Sequence, residues 1–385
     1  MEGQALQQES KLLIGALRGA MTGKPVQVPD ELDWTAFLKL ARAHNVEGLA
    51  YSGLQQERLP EAVQKHLTGA YHRAIFRDAQ MEHMHMQLHK LLDQAQVSHV
   101  FLKGAQLKYS YPIPALRTMS DLDVLVHTRD YPRIDQVCAQ LDGQLLAGDG
   151  NHRNFSFPGG VKVEFHPNLV HHTSPVAAGV NPGWQYVDDS GAMTEEGFYL
   201  SILCHMADHF VSGGIGVRFV LDVWVFRNLR EAPMDRLFVE KELERFGLLA
   251  FTQNIEALAQ AWFGDGEMTP VLEELGEYIL TSGSHGNMDR AMLNAVSLSA
   301  GGSRSSVLWS KVFYPRQELE DRFPWAKGRP WLLPAAWCVR AFRAVTKNGK
   351  QIVTWSKGTG TVSETQVAQQ RAKLSRFGIE PKKKR

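Results

Sequence analysis

Two short runs of alternating residues constrain the fold of this chain more than any other feature. The runs 122–127 and 160–166 are rich in β-branched and aromatic residues, which favour strands. Because successive side chains of a strand point to opposite faces of a sheet, Asp121 and Asp123 share one face of the first run. In the second run, Glu164 lies on the face opposite the apolar side chains. If the two strands pair with their polar faces matched, the sheet presents three carboxylates together.

Three adjacent carboxylates repel one another and are stable together only with a cation between them. Carboxylate oxygens suit hard divalent cations, and clusters of this kind hold two ions about 4 Å apart. One ion activates an attacking hydroxyl, and the other binds a triphosphate and the leaving pyrophosphate. The pattern therefore predicts nucleotidyl transfer with Mg²⁺ or Mn²⁺, in which Asp121 and Asp123 bind the ions and Glu164 helps to activate the acceptor.

The segment upstream of the acidic run offers cations for the phosphates of such a substrate. A short apolar run, 99–102, ends at Lys103-Gly104 and is followed by a predicted helix. Glycine allows the backbone to approach a phosphate, and a helix N-terminus favours anions. Lysine and arginine side chains neutralise phosphate charge. We therefore predict that the nucleotide phosphates are positioned by Lys103, Gly104, Arg117 and Ser120.

Three histidines and one arginine are further candidates for the lining of the cleft: His166, His205, His209 and Arg218. His205 and His209 are four residues apart, a spacing that places two imidazoles on one helix face and also occurs in zinc sites. The surrounding sequence is apolar and marks no third ligand, so a structural or cleft-lining role is favoured over zinc binding. Arg218 and Asp222 have the same spacing, which predicts a partly buried ion pair that orders the C-terminal helices against the core.

Taken in order, these segments resemble a known superfamily. The succession of LKG, R-x-x-S-D-L-D-V-L-V and V-E-F-H is similar to that of the DNA polymerase β-type nucleotidyltransferases. More closely, it resembles an uncharacterised bacterial nucleotidyltransferase family with an LKG...R...DxDxLV signature. Softer similarities, the last at Arg329–Pro334, extend the resemblance over roughly residues 95–345. The resemblance implies that Asp121, Asp123 and Glu164 bind magnesium and that the loop at Gly104 holds the phosphates of an NTP such as ATP.

The sequence departs from the superfamily pattern at the phosphate loop. The Gly-Ser pair that is usual there is Gly104-Ala105 in this chain, and the gap from Gly104 to Asp121 is longer than usual. Two alternatives to an active transferase therefore stay open. One is a catalytically degenerate protein that binds a nucleotide or a partner protein without turnover. The other is a metal-dependent phosphohydrolase or nuclease built on the same acidic cluster.

Helical periodicity on both sides of this block predicts an α+β protein. A small mixed β-sheet, the nucleotidyltransferase core, is expected to be flanked by N-terminal helices and a C-terminal helical domain, with the nucleotide in the cleft between core and C-terminal helices. The predicted segments are 1–96, helical; 97–190, the α/β core; 191–300, helical; 301–356, rich in proline and aromatic residues and packed on the core; and 357–385, a flexible, polar, basic tail.

The composition excludes some classes of protein and favours one cellular compartment. The chain has 42 basic and 41 acidic side chains among 385 residues, a balance that argues against a protein that coats nucleic acid or an anionic membrane. Three widely spaced cysteines predict no disulfide framework and favour a reducing, cytoplasmic setting. No apolar stretch reaches the ~20 residues needed to span a bilayer, so no stable membrane association is expected. The acceptor stays open among a small molecule, a protein and a tRNA, as does the oligomeric state.

Overall fold

The computed structural model places a small five-stranded sheet between two groups of helices. It describes residues 7–146, 152–171, 174, 176–283, 288–299, 319, 323–326, 328–340 and 363–380. Within these residues the architecture is the predicted α+β fold, a mixed sheet flanked by helices on both sides in the sequence. Across the same residues, no helix combines the length and the apolar character that crossing a membrane requires.

The described helices before the sheet are α1 (Gln8–Thr22), α2 (Trp34–Ala43), α3 (Glu47–Leu54) and α4 (Glu61–Gln94). Helix α1 ends at Gly23, whose φ of 69° is a left-handed conformation that favours glycine. The carboxylate of Asp33 caps α2 by accepting from the N–H groups of the second and third residues of that helix. Helix α4 has 34 residues, so it is about 50 Å long.

The strands of the sheet lie in the order β1-β2-β5-β4-β3. They are β1 (His99–Phe101), β2 (Leu122–Val126), β3 (Gln144–Leu145), β4 (Arg153–Ser156) and β5 (Lys162–His166). Strands β2 and β5 are parallel, whereas the other neighbours are antiparallel. The strands predicted around 99–102, 122–127 and 160–166 are confirmed, and the short edge strand β3 was not predicted. The two acidic runs therefore pair as the sequence pattern requires.

One face of the sheet is apolar and packs on helices. Its buried side chains are Leu122, Val124, Val126, Val163 and Phe165. They form a core with the second half of α4 and with α6 (Tyr131–Gln140). The first half of α4 belongs to a second core, shared with α1 and the C-terminal helices. Because side chains alternate along a strand, Asp123 and Glu164 lie on the opposite face of the sheet.

The helices that follow the sheet carry the larger core. They are α7 (Glu195–Ser212), α8 (Val217–Leu229), α9 (Arg236–Phe246), α10 (Leu249–Phe263), α11 (Pro270–Leu280) and α12 (Met288–Leu298). All six lie within the segment 191–300, for which the sequence predicts helices. Twelve of the 18 residues of α7 are buried. Polar side chains are therefore few on this helix.

The structure describes residues 363–380 of the segment predicted as a polar, basic tail. Residues Glu364–Arg376 form a helix that begins with a capping box, in which the Ser363 hydroxyl and the Gln366 amide each satisfy a backbone N–H of the other residue. Phe377 and Ile379 are buried in the large core. A few apolar residues at helical spacing anchor this otherwise polar segment. The basic run at 381–385 and most of 301–356 lie outside the described residues.

Replacing Phe165 by alanine should lower the free energy of unfolding by about 3–5 kcal/mol, because the ring is fully buried in the sheet core. Phe76→Ala is the matched control. The Phe76 side chain on α4 is 66% exposed, so its loss should change stability by less than about 0.5 kcal/mol. Urea unfolding followed by circular dichroism measures both variants, and equal losses would contradict the core position of Phe165.

Candidate functional site

A cleft of about 420 Å³ lies against the polar face of the sheet. Its walls come from β2 and β5, from the loop 117–120, and from α7 and α8. All eleven residues singled out from the sequence line it: Lys103, Gly104, Arg117, Ser120, Asp121, Asp123, Glu164, His166, His205, His209 and Arg218. The fold therefore gathers the candidates in one place, while the role of each in binding or catalysis stays a prediction.

Three carboxylates from distant parts of the chain meet in the cleft. Parallel pairing of β2 and β5 sets Asp123 directly opposite Glu164, on strands about 4.8 Å apart. Asp121 immediately precedes β2, and the Ser120 hydroxyl donates a hydrogen bond to its Oδ1 at 3.0 Å. Ser120, predicted to position phosphates, thus contacts the acidic cluster itself. The strand register is what brings the third acid to the other two.

Lys103 and His166 both bind Asp123. Lys103 Nζ lies 3.0 Å from Asp123 Oδ1, and His166 Nε2 donates to the same oxygen at 2.9 Å. The same imidazole nitrogen lies 3.4 Å from Glu164 Oε2. One ammonium group and one imidazole therefore hold Asp123 and connect it to Glu164.

These contacts set the protonation of the cleft residues. Burial opposes ionisation of Asp123, but the Lys103 ammonium and the hydrogen bond from His166 outweigh it and hold the pKa of this carboxyl well below its ordinary value. Burial raises the pKa of Glu164, and the charges of Asp121 and Asp123 act in the same direction. Burial also lowers the pKa of His205 well below its ordinary value, helped by the Lys103 charge. Asp123 is thus a carboxylate and His205 a neutral imidazole near pH 7.

The loop that carries Lys103 is closely packed. Lys103 has a φ of 50°, a left-handed conformation that strains a residue with a side chain. The N–H of Leu102 donates to the carbonyl oxygen of Asp123 at 2.9 Å, which fixes the loop to β2. A Cβ at Gly104 would lie 2.3 Å from Arg117 Nη1, so glycine is needed here for the arginine to pack. The helix that follows, α5 (Gly104–Leu107), is a single turn.

Arg117 joins the sheet to the C-terminal helices through a buried ion pair. Its Nε and Nη2 donate to the two carboxylate oxygens of Asp222 at 2.9 and 2.8 Å. The Tyr111 hydroxyl donates to Asp222 Oδ1 at 2.6 Å. Burial alone would lower the pKa of Arg117, but the charge of Asp222 outweighs it and raises that pKa. Both side chains are buried, so this guanidinium is already engaged by a carboxylate.

The sequence predicted that Asp222 pairs with Arg218, and this partner is wrong. Asp222 is four residues from Arg218 along α8, but Arg117 reaches it from the loop before β2 and satisfies both of its oxygens. Arg218 instead donates from Nη1 to the backbone carbonyl and the hydroxyl of Thr118. The predicted effect, a link between α8 and the sheet, is thus produced by two arginines.

His205 and His209 lie on the α7 side of the cleft. Their ring centroids are 4.2 Å apart, and both rings contact Phe219 of α8. Both side chains line the cleft. Whether either takes part in binding stays a prediction.

The donor set of the cleft fits a divalent cation. Among the described lining residues, five carboxylates face three permanent cations: Asp121, Asp123, Glu164, Asp208 and Asp222 against Lys103, Arg117 and Arg218. One of the five, Asp222, is neutralised by its bidentate arginine. The three acids of the sheet supply oxygen ligands, which Mg²⁺ prefers. The cleft therefore has the charge and the ligand chemistry for such an ion.

Three further lining residues with titratable side chains were not predicted from the sequence: His152, His171 and Asp208. Asp208 lies between the two histidines of α7 along the sequence. His152 directly precedes β4, and its ring centroid lies 4.6 Å from that of His166. The alternation of β4 could have located His152 only if the pairing of β4 with β5 had been known. A local sequence pattern shows which side chains share a face of one strand. It does not show which residues of different elements meet, and that is what places these three residues in the cleft.

Comparison with known proteins finds a family match. The sequence model of a family described as an uncharacterised nucleotidyltransferase matches residues 30–264. This range includes every candidate residue of the cleft. It begins earlier than the resemblance seen in the sequence and does not reach Arg329–Pro334. No curated protein and no solved structure matches the chain.

Replacing Asp222 by alanine should lower the free energy of unfolding by about 3–5 kcal/mol, because it leaves the buried guanidinium of Arg117 unpaired. Glu240→Ala is the control, since Glu240 pairs with Arg236 at 2.8 Å while both side chains are about 40% exposed. Such a surface pair contributes only about 0.2–1 kcal/mol. Chemical unfolding of both variants measures the difference, and a loss at Asp222 no larger than at Glu240 would refute a structural role of the buried pair.

Proposed function

The chain belongs to the uncharacterised nucleotidyltransferase family, and from this premise we propose that it moves a nucleoside monophosphate from an NTP to an acceptor hydroxyl and releases pyrophosphate. The proposed reaction depends on Mg²⁺ or Mn²⁺. The observation that carries the proposal is the grouping of three carboxylates in one cleft, with Asp123 opposite Glu164 on parallel strands. Metal-dependent displacement at phosphorus uses acids grouped in this way.

The charge of the cleft supports a cation-dependent reaction. An NTP carries several negative charges, and the lining carboxylates outnumber the permanent cations. A triphosphate would therefore be repelled unless divalent cations entered with it. This argument favours a metal–nucleotide complex as the substrate over the free nucleotide.

Within this proposal, Asp121, Asp123 and Glu164 would hold the cations, which when bound polarise phosphoryl oxygens and activate an attacking hydroxyl. The Lys103 ammonium lies 3.0 Å from Asp123 and is placed to exchange that carboxylate for a phosphate oxygen. The loop around Gly104 stays the candidate for the phosphates themselves. Arg117 acts as a positioning residue, because its pairing with Asp222 fixes the loop that leads to Asp121.

The surroundings of Ala105 favour an active enzyme over a catalytically degenerate binding protein. Ala105 raised that alternative because the superfamily has serine there. Its side chain is 2% exposed and belongs to the core between the sheet and α4. A hydroxyl at this position would therefore point into an apolar core, so its absence removes no ligand from the cleft. The acceptor classes remain a small molecule, a protein and a tRNA, the base of the donor NTP stays open, and ATP binding and a cytoplasmic setting remain predictions.

The test is transfer of label from each α-labelled NTP by the full-length protein. The protein is incubated with Mg²⁺ or Mn²⁺ and with small-molecule, RNA and protein fractions of a cell extract, and both labelled acceptor and pyrophosphate are measured. The double variant Asp121→Asn, Asp123→Asn should lose transfer by at least about 100-fold, because it removes charges needed in the transition state. Asp30→Asn, at an exposed position outside the cleft, should keep wild-type transfer.

Three results would contradict the proposal in distinguishable ways. Unchanged transfer in the double variant would remove the acidic cluster from the reaction. Release of a nucleoside monophosphate or phosphate without a labelled acceptor would identify a phosphohydrolase. Calorimetric binding of a nucleotide that is never consumed would identify the degenerate binding protein.

A further inference from the structure

We propose that His152, Glu164 and His166 form a binding site for a divalent transition metal of the zinc class, beside the magnesium cluster. One ligand atom from each of these residues lies within 4.8 Å of the other two. Two imidazoles and one carboxylate are the protein ligands of a common kind of zinc site that keeps a coordination position open. Two of the three ligands are nitrogen, so the site differs in ligand chemistry from the all-oxygen cluster of the sheet, although the two share Glu164.

The pairing of β4 with β5 builds the site. Arg153 is opposite Phe165 in this antiparallel pair, so the residue before Arg153 meets the residue after Phe165. The rings of His152 and His166 accordingly lie 4.6 Å apart between centroids. Glu164 is two residues before His166 on the same strand and therefore on the same face. Glu164 and His166 lie on β5 and His152 directly precedes β4, so the pairing of these two strands places all three ligands.

The spacing of two ligands already matches zinc coordination. His166 Nε2 lies 3.4 Å from Glu164 Oε2. Two ligands at 2.0–2.1 Å from a tetrahedral Zn²⁺ are about 3.4 Å apart. Only a side-chain adjustment at His152 is then needed to complete the set. Binding would replace the hydrogen bond of this His166 nitrogen to Asp123, which keeps its ion pair with Lys103.

The surroundings of these three side chains favour a bound cation and still leave the site open to the cleft. The three ligands are partly buried, and the side chains of His166 and Glu164 are 13% and 31% exposed. They open onto the 420 Å³ cleft, in which carboxylates outnumber permanent cations. The site thus combines partial shielding from water, which strengthens charge interactions, with access for a further ligand.

Ligand chemistry selects the class of metal. Imidazole suits zinc and its neighbours in the first transition series, whereas Mg²⁺ takes oxygen ligands and gives up its water reluctantly. A site with two imidazoles should therefore bind Zn²⁺ more tightly than Mg²⁺. Metal binding here requires no nucleotide and leaves Asp121 unused, so the inference does not depend on the proposed transferase activity.

A second group of potential ligands serves as an internal comparison. His89, Asp93 and His99 also have ligand atoms within 4.8 Å of one another, but the first two are exposed. His89 Nδ1 and His99 Nε2 are hydrogen-bonded to each other at 2.8 Å, and His99 Nδ1 bonds to the carbonyl of Val97. Water competes with these side chains for a metal ion at this exposed surface. The cleft group is therefore the stronger candidate.

The test is calorimetric titration of the full-length protein, freed of metal by a chelator, with Zn²⁺ and separately with Mg²⁺. We expect Zn²⁺ to bind with a Kd at least about tenfold below that of Mg²⁺. His152→Ala should raise the Kd for Zn²⁺ by at least about tenfold. Loss of a group that only supports a metal ligand already weakens affinity by about 10- to 100-fold, and His152 is proposed as a ligand itself. Co²⁺ serves as a visible probe, because its absorption spectrum reports nitrogen ligands and should change in this variant.

Two control variants make the outcome specific. His89→Ala should keep the Zn²⁺ affinity of the wild type within about twofold, because it removes the same side chain from the competing group. Asp121→Asn should also keep Zn²⁺ while losing nucleotidyl transfer, which separates this inference from the proposed function. Equal affinity of the wild type for Zn²⁺ and Mg²⁺, or unchanged Zn²⁺ binding by folded His152→Ala, would overturn the proposal. Loss of Zn²⁺ from His89→Ala alone would move the site to that surface.

Discussion

Parallel pairing of β2 with β5 is the constraint on which the whole cleft depends. It sets Asp123 opposite Glu164, and the apolar side chains that alternate with these acids are buried against α4 and α6. A slip of one residue in β5 would turn Val163 and Phe165 toward the cleft and carry Glu164 into the core. Burial of apolar surface thus determines the position of the carboxylates, although no apolar side chain takes part in their chemistry.

Charged side chains hold α8, which forms part of the helical wall of the cleft, against the sheet. Arg117 and Arg218 bind Asp222 and the Thr118 carbonyl respectively, so each connects α8 to the loop that leads into β2. A buried ion pair contributes little net stability compared with well-packed apolar groups, but it tolerates few alternative geometries. The pair of Arg117 with Asp222 is accordingly best understood as a device that fixes the distance between sheet and helices.

Sequence patterns predicted most of the strands and helices and eleven of the residues that line the cleft, because alternation directly records which face of an element is buried. It did not predict contacts between distant polar groups. The partner of Asp222, the inward position of Asp208 and the approach of His152 to His166 depend on strand register and helix docking, which no local pattern encodes. The docking of the C-terminal helix on the large core was not predicted, for a related reason. Its few apolar side chains stabilise the helix only by packing against the large core, and the local sequence does not show that contact.

Helix α4 is long enough to take part in both hydrophobic cores, so the protein cannot be divided at the end of this helix without disrupting one of them. Its first half completes the large helical core, and its second half closes the apolar face of the sheet. The sequence boundary between residues 96 and 97 therefore separates the sheet from one side of its own hydrophobic interior. An excised fragment 97–190 would expose that face to solvent and would lack the means to fold autonomously. The sheet is therefore part of a discontinuous unit, completed by a helix that the sequence assigns to a different segment.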